Sequence, residues 1–273
     1  TVEIIGGKVG GNINIILFLV LLGMIVALMN KSGASSAYGN WAIKKVKSKK
    51  GALLSTSALG ALIFVDDYFN CLTVGTIMSP ITDKFKISRA KLAYIIDATA
   101  APVCIIAPVS SWAAAVASSL PEDSGLDGFG LFIKSIPFNY YAILTLIMVF
   151  TIIIFNFDFG KMKKYEAIYG STATGNEKEE AGSIDKKGTI IDLIIPIAIL
   201  IVFCIAAMLY TGGITEGKSV RFAFADTDAS LSLVMGAFLT LIVMAALYIP
   251  RKVISFKEFA DALPEGFKAM VPA

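Results

Sequence analysis

Five runs of about 20 predominantly apolar residues set the first constraint on what this chain can fold into. They lie at 12–30, 92–120, 137–157, 189–211 and 229–249. A helix of ~20 apolar residues is long enough to cross the hydrocarbon core of a bilayer. Inside lipid every backbone amide needs a partner within the protein, and a helix supplies one for each residue. The runs therefore predict an all-α polytopic membrane protein.

The composition agrees with a membrane protein. Hydrophobic residues make up 56% of the chain and charged residues 16%, against about 25% charged residues in soluble domains. The formal charge of +3 is spread over loops and forms no continuous basic face, so we expect no nucleic-acid partner. The cysteines stand singly, without CxxC spacing, which predicts small buried side chains and no disulfide or metal site.

The basic residues predict the orientation of the chain. Twenty of the 24 lysine and arginine residues lie in four segments, at 31–50, 84–91, 158–188 and 251–268. If these segments are cytoplasmic, both flanks of a further apolar run at 52–80 lie on the same side. The 29 residues of this run are too few for two spans of ~20 residues. We therefore predict a re-entrant hairpin at 52–80. The alternative is one long tilted helix that violates the charge rule.

The chain is predicted to form two membrane bundles. A stretch rich in Ser, Thr, Gly and alternating charges separates them and predicts a flexible linker. The predicted parts are a bundle at 1–157, with the hairpin at 52–80 and a broken helix at 92–120, a cytoplasmic linker at 158–188, and a second bundle at 189–273. The chain starts without methionine and stops where another apolar segment approaches, so we expect it to be a fragment of a longer protein.

Three aspartates, Asp66, Asp67 and Asp97, sit inside apolar segments. An ionisable group at membrane depth costs several kcal/mol and is a functional hypothesis by default. The predicted spans contain no lysine or arginine, so each acid must be protonated, bound to a cation or paired with sequence outside the chain. A carboxylate that binds either a proton or sodium is what an antiport site requires, and we predict sodium at these three residues.

Further oxygen donors accompany the three acids. If residues 64–74 are helical, Asp66, Asn70 and Thr73 share one helix face. Oxygen donors suit a hard cation such as sodium, and the chain has no histidine to favour a transition metal. We therefore predict that Asn70 and Thr73 bind the ion together with Asp66 or Asp67. One of the two adjacent acids would carry the transported ion and the other would support it.

A second element contributes Asp97 and Thr99, followed by two prolines, Pro102 and Pro108. Proline removes an amide donor and displaces a helical carbonyl, so both prolines are predicted helix breaks. Broken helices that present carbonyls at mid-membrane coordinate the ions of many secondary transporters. Beyond the second break, Ser110 and Ser111 are predicted to add hydroxyl ligands and Trp112 to wall the cavity. The alternative for Asp97 is a purely structural role, in which its side chain caps a broken helix.

The run DDYFNCLTVGTIMSPITDKFKISRAKLAYIIDATAAPVCIIAPVSSWAA at 66–114 resembles the NhaC-type sodium/proton antiporter family, a part of the ion-transporter superfamily. Weaker likeness lies in DTDASLSLVMGAF at 226–238 and EGFKAMVPA at 265–273. The resemblance implies inverted repeats, re-entrant hairpins and an elevator-like alternating-access movement. It also implies a second copy of the site in later sequence, and some relatives exchange sodium with organic acids such as malate and lactate.

We therefore expect a multi-pass transporter of a bacterial cytoplasmic membrane that exchanges sodium for protons in pH homeostasis. It would have no catalytic residue and no cofactor besides the coupled ions, and its partners would be lipid and a second copy in a homodimer. The alternative in the same family is an organic-anion exchanger. An intramembrane aspartyl protease using Asp67 and Asp97 lacks its GxGD signature, and a membrane scaffold would not need interior acids.

Overall fold

The computed structural model describes residues 13–118, 127–172 and 188–271, which are helical with no strand among them. The all-α prediction is confirmed for these residues. The helices are α1 (Ile13–Ser32), α2 (Ala34–Lys45), α3 (Lys49–Leu62), α4 (Asp67–Lys84), α5 (Arg89–Ile106), α6 (Ser111–Ser118), α7 (Gly128–Ser135), α8 (Tyr140–Phe155), α9 (Gly160–Thr172), α10 (Ile191–Thr211), α11 (Val220–Ala225), α12 (Ala229–Tyr248) and α13 (Phe256–Met270).

Three helices are long and apolar enough to cross a membrane: α1, α10 and α12, with 20, 21 and 20 residues. A fourth candidate is the pair formed by α7, with its short 3-10 extension, and α8, which meet at a 48° bend. These helices coincide with four of the five predicted apolar runs. The fifth run, 92–120, contains two helices, because α5 ends at Ile106 and α6 begins at Ser111.

The two predicted helix breaks have different outcomes. Pro108 lies in the gap between α5 and α6, whereas Pro102 is buried inside α5, which continues through it. The prediction of a break at Pro102 is therefore wrong. Proline costs a helical hydrogen bond, but neighbouring helices can compensate in a packed bundle. Pro80, Pro196 and Pro264 likewise lie inside helices.

Helices α3 and α4 form a helical hairpin at the place where the sequence predicts one. They pack against each other, and the turn at 63–66 is closed by Asn70, whose Nδ2 donates to Gly60 O at 2.6 Å and Ile63 O at 2.9 Å. At 1.5 Å per residue the helices are roughly 21 and 27 Å long, short of the ~30 Å hydrocarbon core. The geometry agrees with a hairpin, and its re-entrant placement in the membrane stays a prediction.

The far ends of the hairpin are held together by α9. Glu166 forms an ion pair with Lys49 at the start of α3 and accepts from the backbone amide of Ser88 at 3.0 Å, just after α4. Lys91, fully buried at the start of α5, pairs with Asp158 at 2.8 Å. The predicted linker at 158–188 therefore contains a docked helix, α9, while residues 173–187 lie outside the described part of the chain.

Helices α1, α10, α12 and α13 form a second packed group. Helix α10 lies against α12, and α1 packs against both α12 and α13. Glycines allow the close approaches: Gly236 of α12 faces Cys204 of α10, and Gly23 of α1 faces Gly266 of α13. Thus α1, which precedes the hairpin in sequence, packs mainly with helices from the second half of the chain. The division into bundles at 1–157 and 189–273 stays a prediction.

A candidate ion site where two helix breaks meet

Two of the non-helical gaps in the first half of the chain touch each other. One is the hairpin turn at 63–66, and the other is the gap at 107–110 between α5 and α6. They are joined by a backbone hydrogen bond of 2.8 Å, in which the amide of Ser111 donates to Val65 O. Two interruptions 44 residues apart in sequence thereby form one junction. Non-helical backbone at membrane depth is tolerated where protein covers it or where it lines a cavity.

Asp66 lies at this junction and is 1% exposed. Its backbone is extended and it caps α4, because its Oδ1 accepts from the amide of Phe69 at 2.9 Å. The side chain of Ser111 lies near enough to this carboxyl to stabilise its ionised form. The prediction that Asp66 shares a helix face with Asn70 and Thr73 is wrong, since α4 begins at Asp67. Capping by Asp66 starts the helix at residue 67, three residues later than the helix over 64–74 on which the prediction rested.

No ion pair among the described residues involves Asp66, Asp67 or Asp97. Burying an isolated carboxylate costs so much that the group becomes protonated or binds a cation instead. Asp66 is surrounded by protein on all sides. Its most important chemical property is therefore that its carboxyl group must either be protonated or bind a cation. The site can bind either a proton or a positive ion.

The other two aspartates lie further outward. Asp67 is half-buried in the first turn of α4, and Asp97 is exposed on α5. All three acids are within electrostatic reach of the Cys71 thiol. The described residues contain no group of three or more acidic, histidine or cysteine side chains close enough to hold a metal ion. In this structure the three aspartates do not come together around one position. A sodium site shared by all three therefore stays a prediction.

The predicted hydroxyl ligands do not converge on one common partner. Ser110 Oγ donates to Ala107 O at 3.0 Å and accepts from the amide of Ala113 at 3.2 Å, so it caps α6. Thr99 Oγ1 donates to Ile95 O at 2.6 Å within its own helix. Of the predicted hydroxyl ligands, Ser111 contacts Asp66 and Thr73 has an unpartnered oxygen. Trp112 is 36% exposed beside the junction, and its role as a cavity wall stays a prediction.

The structure adds residues that sequence reasoning missed. Gly60 lets α4 approach α3, since a Cβ there would lie 3.4 Å from both Asn70 Oδ1 and Thr99 Cγ2. Ser57, one turn earlier on α3, has a buried hydroxyl without a partner in the described residues. A signal was present in the sequence, because small residues four apart, such as Thr56 and Gly60, favour close helix contacts in membranes. Glu166 had no comparable signal, because its partners are distant in sequence.

A cavity of about 430 Å³ lies away from this junction, between α1, α4 and α13. Its polar lining consists of Asn30, Lys31, Thr76 and Glu265. Lys31 pairs with Glu265 at 2.9 Å, so the cavity's basic group is already neutralised. The rest of the lining is apolar. Among the described residues, Asp66 has no such ion-pair partner to neutralise its charge.

Taken with the fold, the junction defines a helical membrane protein that holds an ionisable group between broken helices. The model of the Na+/H+ antiporter family matches residues 123–273, more than half of the chain. The chain belongs to the Na+/H+ antiporter family. This match does not include the junction itself, which lies N-terminal to it.

A curated relative matches almost the whole chain. An uncharacterized protein of Haemophilus influenzae is 38% identical over 278 aligned residues, which cover 97% of this chain and 52% of the relative. The chain thus spans about half the length of the curated relative it matches. No solved structure matches the chain.

Proposed function

We propose that this protein is a secondary active transporter of the NhaC type that exchanges sodium for protons across a bacterial cytoplasmic membrane. Family membership supports cation/proton exchange, and Asp66 carries the finer proposal. Its carboxyl group is buried where two helix breaks meet and has no ion-pair partner in the described residues. The protonated form of such a group, and its ionised form neutralised by a nearby cation, correspond to the two loaded states of an antiporter.

The backbone around Asp66 supports a transport role. Transporters place coupling-ion sites at interruptions of membrane helices, where irregular backbone and side-chain oxygens are available to the ion. Here the carboxyl of Asp66, the hydroxyl of Ser111 and the irregular segments at 63–66 and 107–110 lie together. We infer an alternating-access movement that exposes this junction to one side of the membrane and then to the other. A homodimer is part of the same proposal.

The runner-up is a transporter that couples sodium or protons to an organic anion. Such a substrate needs a basic group to bind its carboxylate. In the cavity between α1, α4 and α13 the basic group is Lys31, which already pairs with Glu265. The described residues therefore favour the inorganic exchange.

Flux measurements on the full-length protein in proteoliposomes test the proposal. The vesicles contain a trapped pH indicator, and gradients of sodium, potassium and malate are imposed one at a time. We expect the sodium gradient alone to drive proton movement in the opposite direction. Proton movement driven by malate would overturn the proposal in favour of the runner-up. Absence of flux with all three gradients would overturn both.

A further inference from the structure

Buried oxygen atoms without partners are concentrated in the hairpin. In the described part of the chain, four buried side-chain oxygens have no hydrogen-bond partner. One belongs to Asp158, whose Oδ1 lies 2.8 Å from Lys91 Nζ in an ion pair. The others are Ser57 Oγ, Asn70 Oδ1 and Thr73 Oγ1. Native proteins leave few buried polar atoms unsatisfied, so three on two adjacent helices require an explanation.

Helical spacing from the contact between Gly60 and Asn70 places these three residues on the facing sides of α3 and α4. The contact between Gly60 and Asn70 fixes the register of the two antiparallel helices. Ser57 lies three residues before Gly60, and Thr73 lies three residues after Asn70, so each occupies the next turn on the same face. One turn further from the hairpin tip, Ser57 and Thr73 therefore lie at the same level. All three side chains are at most 3% exposed.

The hydrogen bonds of Asn70 fix the direction of its free oxygen. Both protons of its Nδ2 are used, one on Gly60 O and one on Ile63 O. The amide therefore cannot rotate by half a turn without losing both bonds. Its Oδ1 can only accept, and neither Ser57 nor Thr73 donates to it. A buried acceptor of this kind is satisfied by a bound cation or by a donor such as water.

We propose that Ser57 Oγ, Asn70 Oδ1 and Thr73 Oγ1 form a neutral-oxygen sodium site between α3 and α4, separate from the carboxyl group of Asp66. The proposal rests on the proposed sodium/proton exchange and names the place of the coupling ion. Hydroxyl and amide oxygens suit a hard monovalent cation. Their neutrality means that the charge of the ion is balanced from elsewhere.

Asp66 supplies the balancing charge. It lies one turn before Asn70, whose backbone amide donates to Asp66 O at 3.0 Å. A sodium ion in the hairpin stabilises the ionised carboxylate of Asp66, and a proton on Asp66 removes the charge that holds the ion. The two ions then exclude each other without sharing a ligand atom. This is the coupling that exchange requires.

Thr73→Val tests the site, because valine keeps the shape of threonine and removes the hydroxyl. Thr82→Val is the matched control: Thr82 is also fully buried in α4, and its hydroxyl donates to Met78 O and Ser79 O. Thermal unfolding of the purified full-length protein is followed with increasing sodium, with choline keeping the ionic strength constant. We expect the apparent sodium affinity to fall at least about tenfold in Thr73→Val and to be unchanged in Thr82→Val.

Two further variants make the test decisive. Ser57→Ala should weaken sodium affinity to a similar degree, and Thr73→Ser should restore it. If Thr73→Val does not fold, Ser57→Ala, which removes one small hydroxyl, decides the outcome. Unchanged sodium affinity in the folded variants would mean that the oxygens bind water, and would overturn this site while leaving wild-type exchange intact. Lack of sodium-dependent flux in the wild type would instead refute the proposed function.

Discussion

At the scale of single residues, Asp66 combines a structural and a chemical role. It caps α4 through Phe69 and contacts Ser111 across the junction. Asparagine is as good a helix cap as aspartate, so Asp66→Asn keeps the cap and removes the ionisable group. We expect this variant to insert and fold but to lose sodium-driven proton movement in proteoliposomes. Exchange at the wild-type level would remove Asp66 from the transport mechanism.

Asp97→Asn is the comparison for this experiment. Asp97 is exposed on α5 and reaches the junction only through its electrostatic interaction with Cys71. We therefore expect a smaller reduction of flux than in Asp66→Asn. A complete loss in Asp97→Asn would assign it the transport role that the sequence predicted.

The residue types of the site were predictable, but their geometry was not. The presence of aspartate in apolar segments marked Asp66, Asp67 and Asp97 alike as candidates without any structure, because an unpaired acid in lipid is costly. Whether a hydroxyl is free depends on rotamer and neighbours. Thr99 satisfies its hydroxyl within its own helix, whereas Thr73 does not. No pattern in the sequence distinguishes these two threonines.

At the scale of helices, Glu166 ties α9 to both ends of the hairpin. Burial raises the pKa of Glu166, but hydrogen bonds from Lys49 and Ser88 outweigh it and hold the pKa below its usual range. Because the pKa is lower in the folded state, this contribution to stability is complete above the unfolded value of about 4.3. It is lost as the pH falls through the lower folded pKa.

We expect Glu166→Gln to lower the melting temperature by a few degrees at pH 6, because it breaks the ion pair with Lys49. As the pH falls toward 3, the difference from the wild type should shrink. Melting curves of the two proteins across this pH range measure it. A difference that does not change with pH would show that the charge of Glu166 is unimportant.

The packing of α10 against α12 depends on one glycine. A Cβ at Gly236 would lie 2.6 Å from Cys204 Sγ and 2.8 Å from Cys204 N, and backbone cannot move aside as a side chain can. We expect Gly236→Ala to destabilise the protein by about 1–3 kcal/mol, measured by thermal unfolding in detergent. In the control Gly75→Ala, the nearest atom would be 3.9 Å away, and alanine favours the helix. Equal stability of the two variants would contradict the close approach.

The hairpin was predictable at this scale and the course of α5 was not. Both flanks of 52–80 carry basic residues, and this charge pattern favoured a chain that turns back over one long tilted helix. The prediction of a break at Pro102 was wrong because local propensity does not include the packing that buries the proline in α5. Local sequence propensity does not predict where a helix ends when tertiary contacts determine that end.

At the scale of the whole molecule, ion pairs connect the segments that the charge rule places in the cytoplasm. Glu166 joins the start of α3 to Ser88, which directly precedes α5. Separately, Asp192 at the start of α10 pairs with Arg251 after α12, and Lys31 pairs with Glu265. These contacts place the basic ends of several helices together. They agree with the predicted orientation without measuring it.

Accessibility of introduced cysteines measures the orientation. Ser48 and Lys86 are exposed on the two flanks of the hairpin, and Ser219 is exposed beyond the opposite end of α10. Each is replaced by cysteine in a background without Cys71, Cys104 and Cys204. We expect an impermeant thiol reagent to label positions 48 and 86 only from the cytoplasmic side, and position 219 only from outside.

This prediction follows from one geometric requirement. If α3 and α4 return to the side from which they started, positions 48 and 86 must lie in the same compartment. The structure agrees, because Lys49 and Ser88, which neighbour these positions, both contact Glu166. Labelling of position 86 from outside with position 48 labelled from inside would mean that 52–80 crosses the membrane once. Asp66 would then lie in a spanning segment, and the sodium site between α3 and α4 would lose the antiparallel register on which it depends.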